Sequence, residues 1–211
     1  MTLGTGARMQ KGAEKYRAMM ATRRTVRQFS TDPVPASVIE TCIRAAASGP
    51  SGANKQPWSF VAISDPHTKR RIRERAEAAE RAFYASLAPN QWLDDLKPLG
   101  TVWRKSFLED APWLIAVFAQ LYGIAPDGSR VRHYYVRESV GIAVGFLISA
   151  LHHAGLDTLT YTPTKTAFLS EVLNRPENER PYMIVVAGRR AADAVIPDIE
   201  RKPFGEVATF I

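Results

Sequence analysis

One stretch, residues 134–153, constrains this chain more than any other. Between residues 140 and 151 it is apolar almost all round, broken only by small residues and Ser149. A bilayer-crossing helix needs about 20 apolar residues, so this shorter run reads as a buried helix of a globular protein. A helix that is apolar on every side either runs through the centre of a core or lies between subunits. Gly141 and Gly145 allow another backbone to come close, and a chain of 211 residues has limited core with which to surround such a helix. The subunit interface is therefore the expected place. Gly155 supplies the C-terminal cap.

Around that helix, helical spacing alternates with short apolar runs. Residues 12–22 form an expected amphipathic helix carrying Tyr16, Met19 and Met20. A second helix begins near Pro35, presents Ile39, Cys42, Ile43 and Ala46 on one face, and stops at Gly49-Pro50. Strands are expected over 58–63, 113–118, 156–160 and 182–187, with a long helix over 67–87 and a short one over 167–173. Asp127-Gly128 makes a turn inside a polar loop. The tail after Gly188 is irregular and ends in a strand-like stretch, 207–211. With no partner in its own chain, it is expected to wrap a second subunit. The class is α+β, with residues 1–21 as an N-terminal arm and helix and 22–211 as one domain.

Composition excludes several functions. Cys42 is the single cysteine, so no internal disulfide can form, and its place on an apolar stripe gives it a core role. The net charge of +7 raises a nucleic-acid reading, but the densest basic stretch, 69–75, is followed by Glu77 and Glu80 and reads as a solvated helix face. A small anionic ligand is the better use of the excess charge. Residues 1–10 hold no apolar run with a cleavage site, so no signal peptide is expected. His152 and His153 are adjacent and cannot share a helix face, and no metal site is expected. These features give a soluble cytoplasmic protein with neither membrane nor nucleic acid as partner.

Three constellations carry chemistry. Arg23, Arg24 and Arg27 surround Thr25, giving a fork-like set of donors suited to a phosphate. Residues 48–58 form a Gly/Pro-rich loop between a helix and a strand; its small residues let backbone amides approach a planar ligand. Glu80 and Tyr84 lie four apart on one helix and share a face, and Lys105 follows in Trp103-Arg104-Lys105. A carboxylate can pair an ammonium, while an ammonium and a phenol can hold a carboxylate. Closing that segment over a ligand would also exclude water.

The wording Pro50-Ser51-Gly52-Ala53-Asn54-Lys55-Gln56-Pro57-Trp58, with the arginine cluster upstream, resembles the flavin loop of the nitroreductase-like flavoproteins. Glu80, Tyr84 and Lys105 carry the resemblance further, to the family's iodotyrosine deiodinase branch, over residues 22–208. The helix around Glu138-Ser139-Val140-Gly141 is similar to that family's central helix. The resemblance implies a nitroreductase-like fold with a mostly antiparallel central sheet flanked by helices, built as an intertwined homodimer. It implies FMN as cofactor, held by Arg23, Arg24, Thr25, Arg27, Pro50, Ser51, Gly52, Thr160, Tyr161, Thr162 and Arg201, the loop reaching the flavin bound mainly by the other subunit. Ala53, Glu80, Tyr84 and Lys105 would bind substrate, and Thr162, donating to flavin N5, would open one-electron steps. The implied reaction is reductive dehalogenation of halotyrosines, with NAD(P)H acting directly or through a reductase.

Two features depart from the branch. Tyr161 stands between threonines where the animal enzymes carry a smaller residue, and their N-terminal membrane anchor has no counterpart, which fits a soluble relative. Other readings stay open at this point: a broad NAD(P)H-dependent nitroreductase or quinone reductase, a flavin-fragmenting enzyme, or a non-catalytic protein that binds flavin and an aromatic amino acid.

Overall fold

The computed structural model describes residues 4–86 and 88–211. Residues 1–3 of the N-terminal arm, and Leu87 at the expected end of the long helix, lie outside the described residues. In chain order the elements begin with α1 (Thr5–Ala21), α2 (Ala36–Ala47), β1 (Trp58–Ile63), α3 (Pro66–Ser86), α4 (Asn90–Leu96) and α5 (Phe107–Asp110). There follow β2 (Trp113–Gln120), β3 (Tyr122–Ile124), β4 (Arg130–Arg132), α6 (Val136–His153), β5 (Asp157–Tyr161), α7 (Phe168–Val172) and β6 (Glu179–Gly188).

The four expected apolar runs pair into one antiparallel sheet in the order β1-β2-β6-β5. The central strands are apolar on both sides because both sides are covered. Leu114, Ala116 and Phe118 of β2, with Ile184 and Val186 of β6, face a core made with Ile72 and Ala76 of α3, Phe107 and Leu108 of α5, and Phe168 and Leu169 of α7. Ile115, Val117 and Ala119, with Val185 and Ala187, face a second core made with Ile39, Cys42 and Ala46 of α2 and with Val140, Ala143, Val144, Leu147 and Leu151 of α6. The α+β class and the flanked antiparallel sheet expected from the sequence are what forms.

Helix α6 is both core and surface. One side is fully buried on the sheet, while Ile142 and Phe146 on the other remain 42% and 44% exposed. Its end is a Schellman cap: Gly155 has φ +79° and donates to His152 O (3.0 Å), and Leu156 donates to Leu151 O (3.0 Å). Helix α1 rests on the same end of α6, with Tyr16 Oη 3.0 Å from Ser149 Oγ and Met19 O 3.0 Å from His152 Nε2.

Several local expectations need correction. Residues 207–211 form no strand, because a strand needs a ladder partner and the described residues of the chain offer them none. The tail does find partners earlier: Ser30 donates to Arg189 O (2.8 Å), and Ala191 donates to Gln28 O (3.0 Å). The polar loop around Asp127-Gly128 is the tip of a hairpin of β3 and β4, whose three-residue strands are too short to show alternation. Helix α4 lies in a stretch that the sequence left without structure. No helix among the described residues is long and apolar enough to cross a membrane.

Candidate active site

The arginine cluster is set by one buried neighbour. Val26 is fully buried, and its amide donates to Thr158 O (3.1 Å), while Thr25 and Thr158 form a parallel bridge. Residues 23–27 thus run along the free edge of β5, beside Thr160, Tyr161 and Thr162. Arg201 folds back from the tail and donates to Ala21 O (3.1 Å) and Arg23 O (2.9 Å), and Arg24 donates to Pro197 O. Among the described residues none of these guanidiniums, nor that of Arg27, has a carboxylate partner. Burial holds Arg23 below the ordinary arginine range, and the charges of Arg201 and Arg24 push the same way. Burial lowers Arg27 likewise. A crowded, acid-free set of planar donors is relieved by an anion, so these residues fit the phosphate of a nucleotide-like cofactor.

The clamp residues converge at the other side of that edge. Lys69, Ile72, Ala76 and Glu80 form the buried stripe of α3, and the Lys69 ammonium pins it by donating to Glu109 O (2.8 Å) and Ala111 O (2.7 Å). Glu80, 3% exposed, accepts through Oε1 from Tyr161 Oη and from the Thr164 amide, both at 3.2 Å. Its Oε2 lies 3.6 Å from Lys105 Nζ. Lys105, 4% exposed, donates to Val102 O (2.6 Å), and its amide donates to Glu77 Oε1 (2.8 Å). Burial lowers the Lys105 ammonium, with the Glu80 charge working against it. Burial, then Glu80, push the Tyr161 phenol far up, so it is a hydrogen-bond donor at any physiological pH. Lys105 Nζ sits 5.4 Å from the Tyr84 ring centre and 5.7 Å from that of Tyr161.

These groups line a cavity of about 200 Å³ together with Arg27, Thr160 and Thr162. Trp92 and Leu96 of α4, Thr101, Phe107, Leu159 and Thr164 complete the wall, and none of them was a candidate site residue in the sequence. Trp92 packs edge-on against Tyr84, with ring centres 5.6 Å apart. The available signal was Pro89 ahead of Trp92, Leu93 and Leu96, a short helix start with apolar residues on one side.

The Gly/Pro loop is elsewhere. It ends α2 and packs on the start of α6: the Gly52 amide donates to Ser139 Oγ (3.3 Å), and a Cβ on Gly52 would lie 2.8 Å from Tyr134 O. Ser51 Oγ accepts from the Gln56 amide (2.9 Å). Ala53, Asn54, Gln56 and Tyr135 all hold positive φ, at 50°, 52°, 47° and 48°. Such a concentration of left-handed non-glycine residues marks a loop whose shape is imposed. The structure therefore gathers Arg27, Glu80, Tyr84, Lys105, Thr160, Tyr161 and Thr162 around one cavity, with Arg23, Arg24, Thr25 and Arg201 beside it. Pro50, Ser51, Gly52 and Ala53 do not line that cavity and lie on the α2/α6 side of the sheet.

A doubly covered antiparallel sheet, with an acid-free anion cradle along one edge and an aromatic-lined cavity next to it, defines a class of small proteins built to hold an anionic cofactor beside a second ligand. The chain belongs to the nitroreductase family, whose sequence pattern matches residues 20–189. It is 51% identical over 194 residues to a protein named iodotyrosine deiodinase from Haliscomenobacter hydrossis, covering 92% of this chain and 87% of that one. It is 45% identical over 199 residues to one of the same name from Nematostella vectensis, covering 94% and 75%. Among solved structures, oxidized iodotyrosine deiodinase bound to FMN and 3-iodo-L-tyrosine superposes with a TM-score of 0.80 at 30% identity, covering 92% of this chain and all of that one.

Proposed function

We propose that this chain is an FMN-dependent reductive dehalogenase that acts on halotyrosines and releases tyrosine and halide. The observation that carries the reading is the convergence of Glu80, Tyr84 and Lys105 in one cavity that Thr162 also lines. A buried acid and a buried base paired side by side in a small aromatic-walled space suit a zwitterionic aromatic amino acid. Alone they neutralise each other; the ligand's ammonium would take Glu80, and its carboxylate would take Lys105 and Tyr84. Closing α4 over the ligand would keep water from the reacting carbon.

The same geometry supports a set of cofactor residues. Arg23, Arg24 and Arg201 would hold the FMN phosphate, with Thr25, Arg27, Thr160 and Tyr161 along the ring edge. Bound FMN supplies electrons one at a time for a net two-electron reduction, in which a carbon–halogen bond is replaced by a carbon–hydrogen bond and halide leaves. The Thr162 hydroxyl, exposed at the end of β5, would donate to the reactive edge of the ring. Pro50, Ser51 and Gly52, lying away from this cavity, would meet the flavin of a second chain, and the Ala53 amide would take the substrate phenolate there. A homodimer is then required for a complete site, and the open face of α6 with Ile142 and Phe146 is the surface for it. The reductant would be NAD(P)H, directly or through a partner reductase, in a reducing cytoplasmic setting suited to the lone Cys42.

Titration of the flavin-loaded protein with 3-iodotyrosine tests the clamp. Glu80→Gln and Lys105→Ala should each weaken binding by about 10–100-fold while FMN stays bound, the size expected for a lost charged hydrogen bond. Unchanged affinity in both variants would remove the halotyrosine reading.

A further inference from the structure

Tyr161 lies along the proposed ring edge by its place in β5, and its side chain reaches into the cavity. On β5 the side chains alternate, and Thr160 and Thr162 are exposed while Tyr161 is 8% exposed. Its ring packs edge-on to Phe107, with centres 5.4 Å apart, so its direction is fixed from behind. Its hydroxyl donates to Glu80 Oε1 at 3.2 Å, and the Thr164 amide donates to the same atom at 3.2 Å.

The two oxygens of Glu80 are consequently unequal. Oε1 is engaged by two neutral donors supplied by β5 and the residues just after it. Oε2 faces Lys105 Nζ at 3.6 Å, a distance of charge attraction that exceeds an ordinary hydrogen bond. Lys105 places its short hydrogen bond elsewhere, on Val102 O at 2.6 Å. We propose that Tyr161 is a positioning residue for ligand recognition: by holding Oε1 it fixes Glu80 so that Oε2 is the acceptor for a primary ammonium on the ligand.

This inference rests on the reading of Glu80 as the ammonium partner. It adds that selectivity for amino-bearing ligands is set in part by a side chain that need not touch them. A smaller residue at position 161 would leave Oε1 with the Thr164 amide alone and let the carboxylate turn. Because Tyr161 ends β5 and Thr162 is the next residue, the residue that fixes the ammonium site and the residue at the proposed ring edge share a peptide bond. Ligand grip and cofactor edge are thereby kept in register.

The test uses the FMN-loaded protein and quenching of flavin fluorescence by two probes. One is 3-iodotyrosine and the other is 3-(4-hydroxy-3-iodophenyl)propanoate, which lacks only the ammonium. In the unaltered protein 3-iodotyrosine should bind the tighter. Tyr161→Phe keeps the ring against Phe107 and removes the hydroxyl; it should weaken 3-iodotyrosine about tenfold and the des-amino probe less than about twofold. Equal weakening of both probes would show a merely structural role and overturn the inference, as would unchanged affinity for both. Failure of the unaltered protein to distinguish the probes would instead overturn the reading of Glu80, and this inference with it. That outcome is seen before any substitution is made, so the two failures are told apart.

Discussion

Arginine side chains crowded together without an acid are held at a cost, and the site that holds them shows where charge is meant to arrive. Arg23 lies half-buried between Arg24 and Arg201, depressed by burial and by both neighbours. Replacing it with glutamine should lower FMN affinity by about 10–100-fold, as loss of a charge-assisted bond to phosphate predicts. Flavin released on dilution, measured by its fluorescence, reads the effect; an unchanged flavin content would place the phosphate elsewhere. At this scale much was legible. Arginine forks and the pair Glu80 and Tyr84 announce themselves by residue type and spacing, and Cys42 on an apolar stripe is indeed buried, its thiol pushed up by burial. The direction of Tyr161 was not legible. Residue 161 sits in the run of threonines that resembles a flavin edge, and only the register of β5 shows that its side chain goes to Glu80. Nor could the sequence show that Glu80 and Lys105 face each other, since that contact joins α3 to a loop 25 residues on.

Elements with strong periodicity were readable; of the short ones α7 and β5 were expected, while α4, α5, β3 and β4 were not. The continuous apolar runs of β2 and β6 required cover on both sides, and both sides are covered. Three-residue β3 and β4 carry too few positions to show a period, and α4 is a seven-residue helix with no buried residue among its own. An element so lightly held is suited to open and close. Trp92, packed on Phe83 at 4.9 Å and on Tyr84 at 5.6 Å, is its main attachment to the clamp. Trp92→Ala should therefore weaken 3-iodotyrosine binding about tenfold yet change global unfolding by less than about 1 kcal/mol, because the residue is only half-buried. Chymotrypsin digestion supplies the second readout: 3-iodotyrosine should protect the 88–100 region of the unaltered protein and not that of the variant. Equal protection in both would mean that α4 is not part of the grip.

On the scale of the whole molecule, the residues proposed for the site fall in two groups that do not meet. The arginine edge and clamp lie with α3 and α5, while the Gly52 loop lies with α2 and the start of α6. Between them the exposed face of α6 carries Ile142 and Phe146, and the tail ends in the exposed Phe204, Val207, Phe210 and Ile211. An apolar face and apolar tail of this kind are the means by which a second copy would bring the loop of one chain to the edge of the other. Sedimentation should give a species near twice the 23.4 kDa of one chain, and Phe146→Glu should yield monomers that lose flavin. Monomers that keep their flavin would show that one chain completes the site. The apolar helix was legible in the sequence as an interface candidate, but its division between core and open face depends on which side meets the sheet, a property of the assembled layers. The central claim is dehalogenation itself, and anaerobic turnover tests it most directly: reduce the FMN-loaded protein, add 3-iodotyrosine, and follow flavin absorbance while assaying tyrosine and iodide. Reoxidation of the flavin with matching release of tyrosine and iodide is the predicted result. A flavin that stays reduced with 3-iodotyrosine, yet is reoxidised rapidly by nitroaromatics, would contradict it and assign the protein to general nitroreduction.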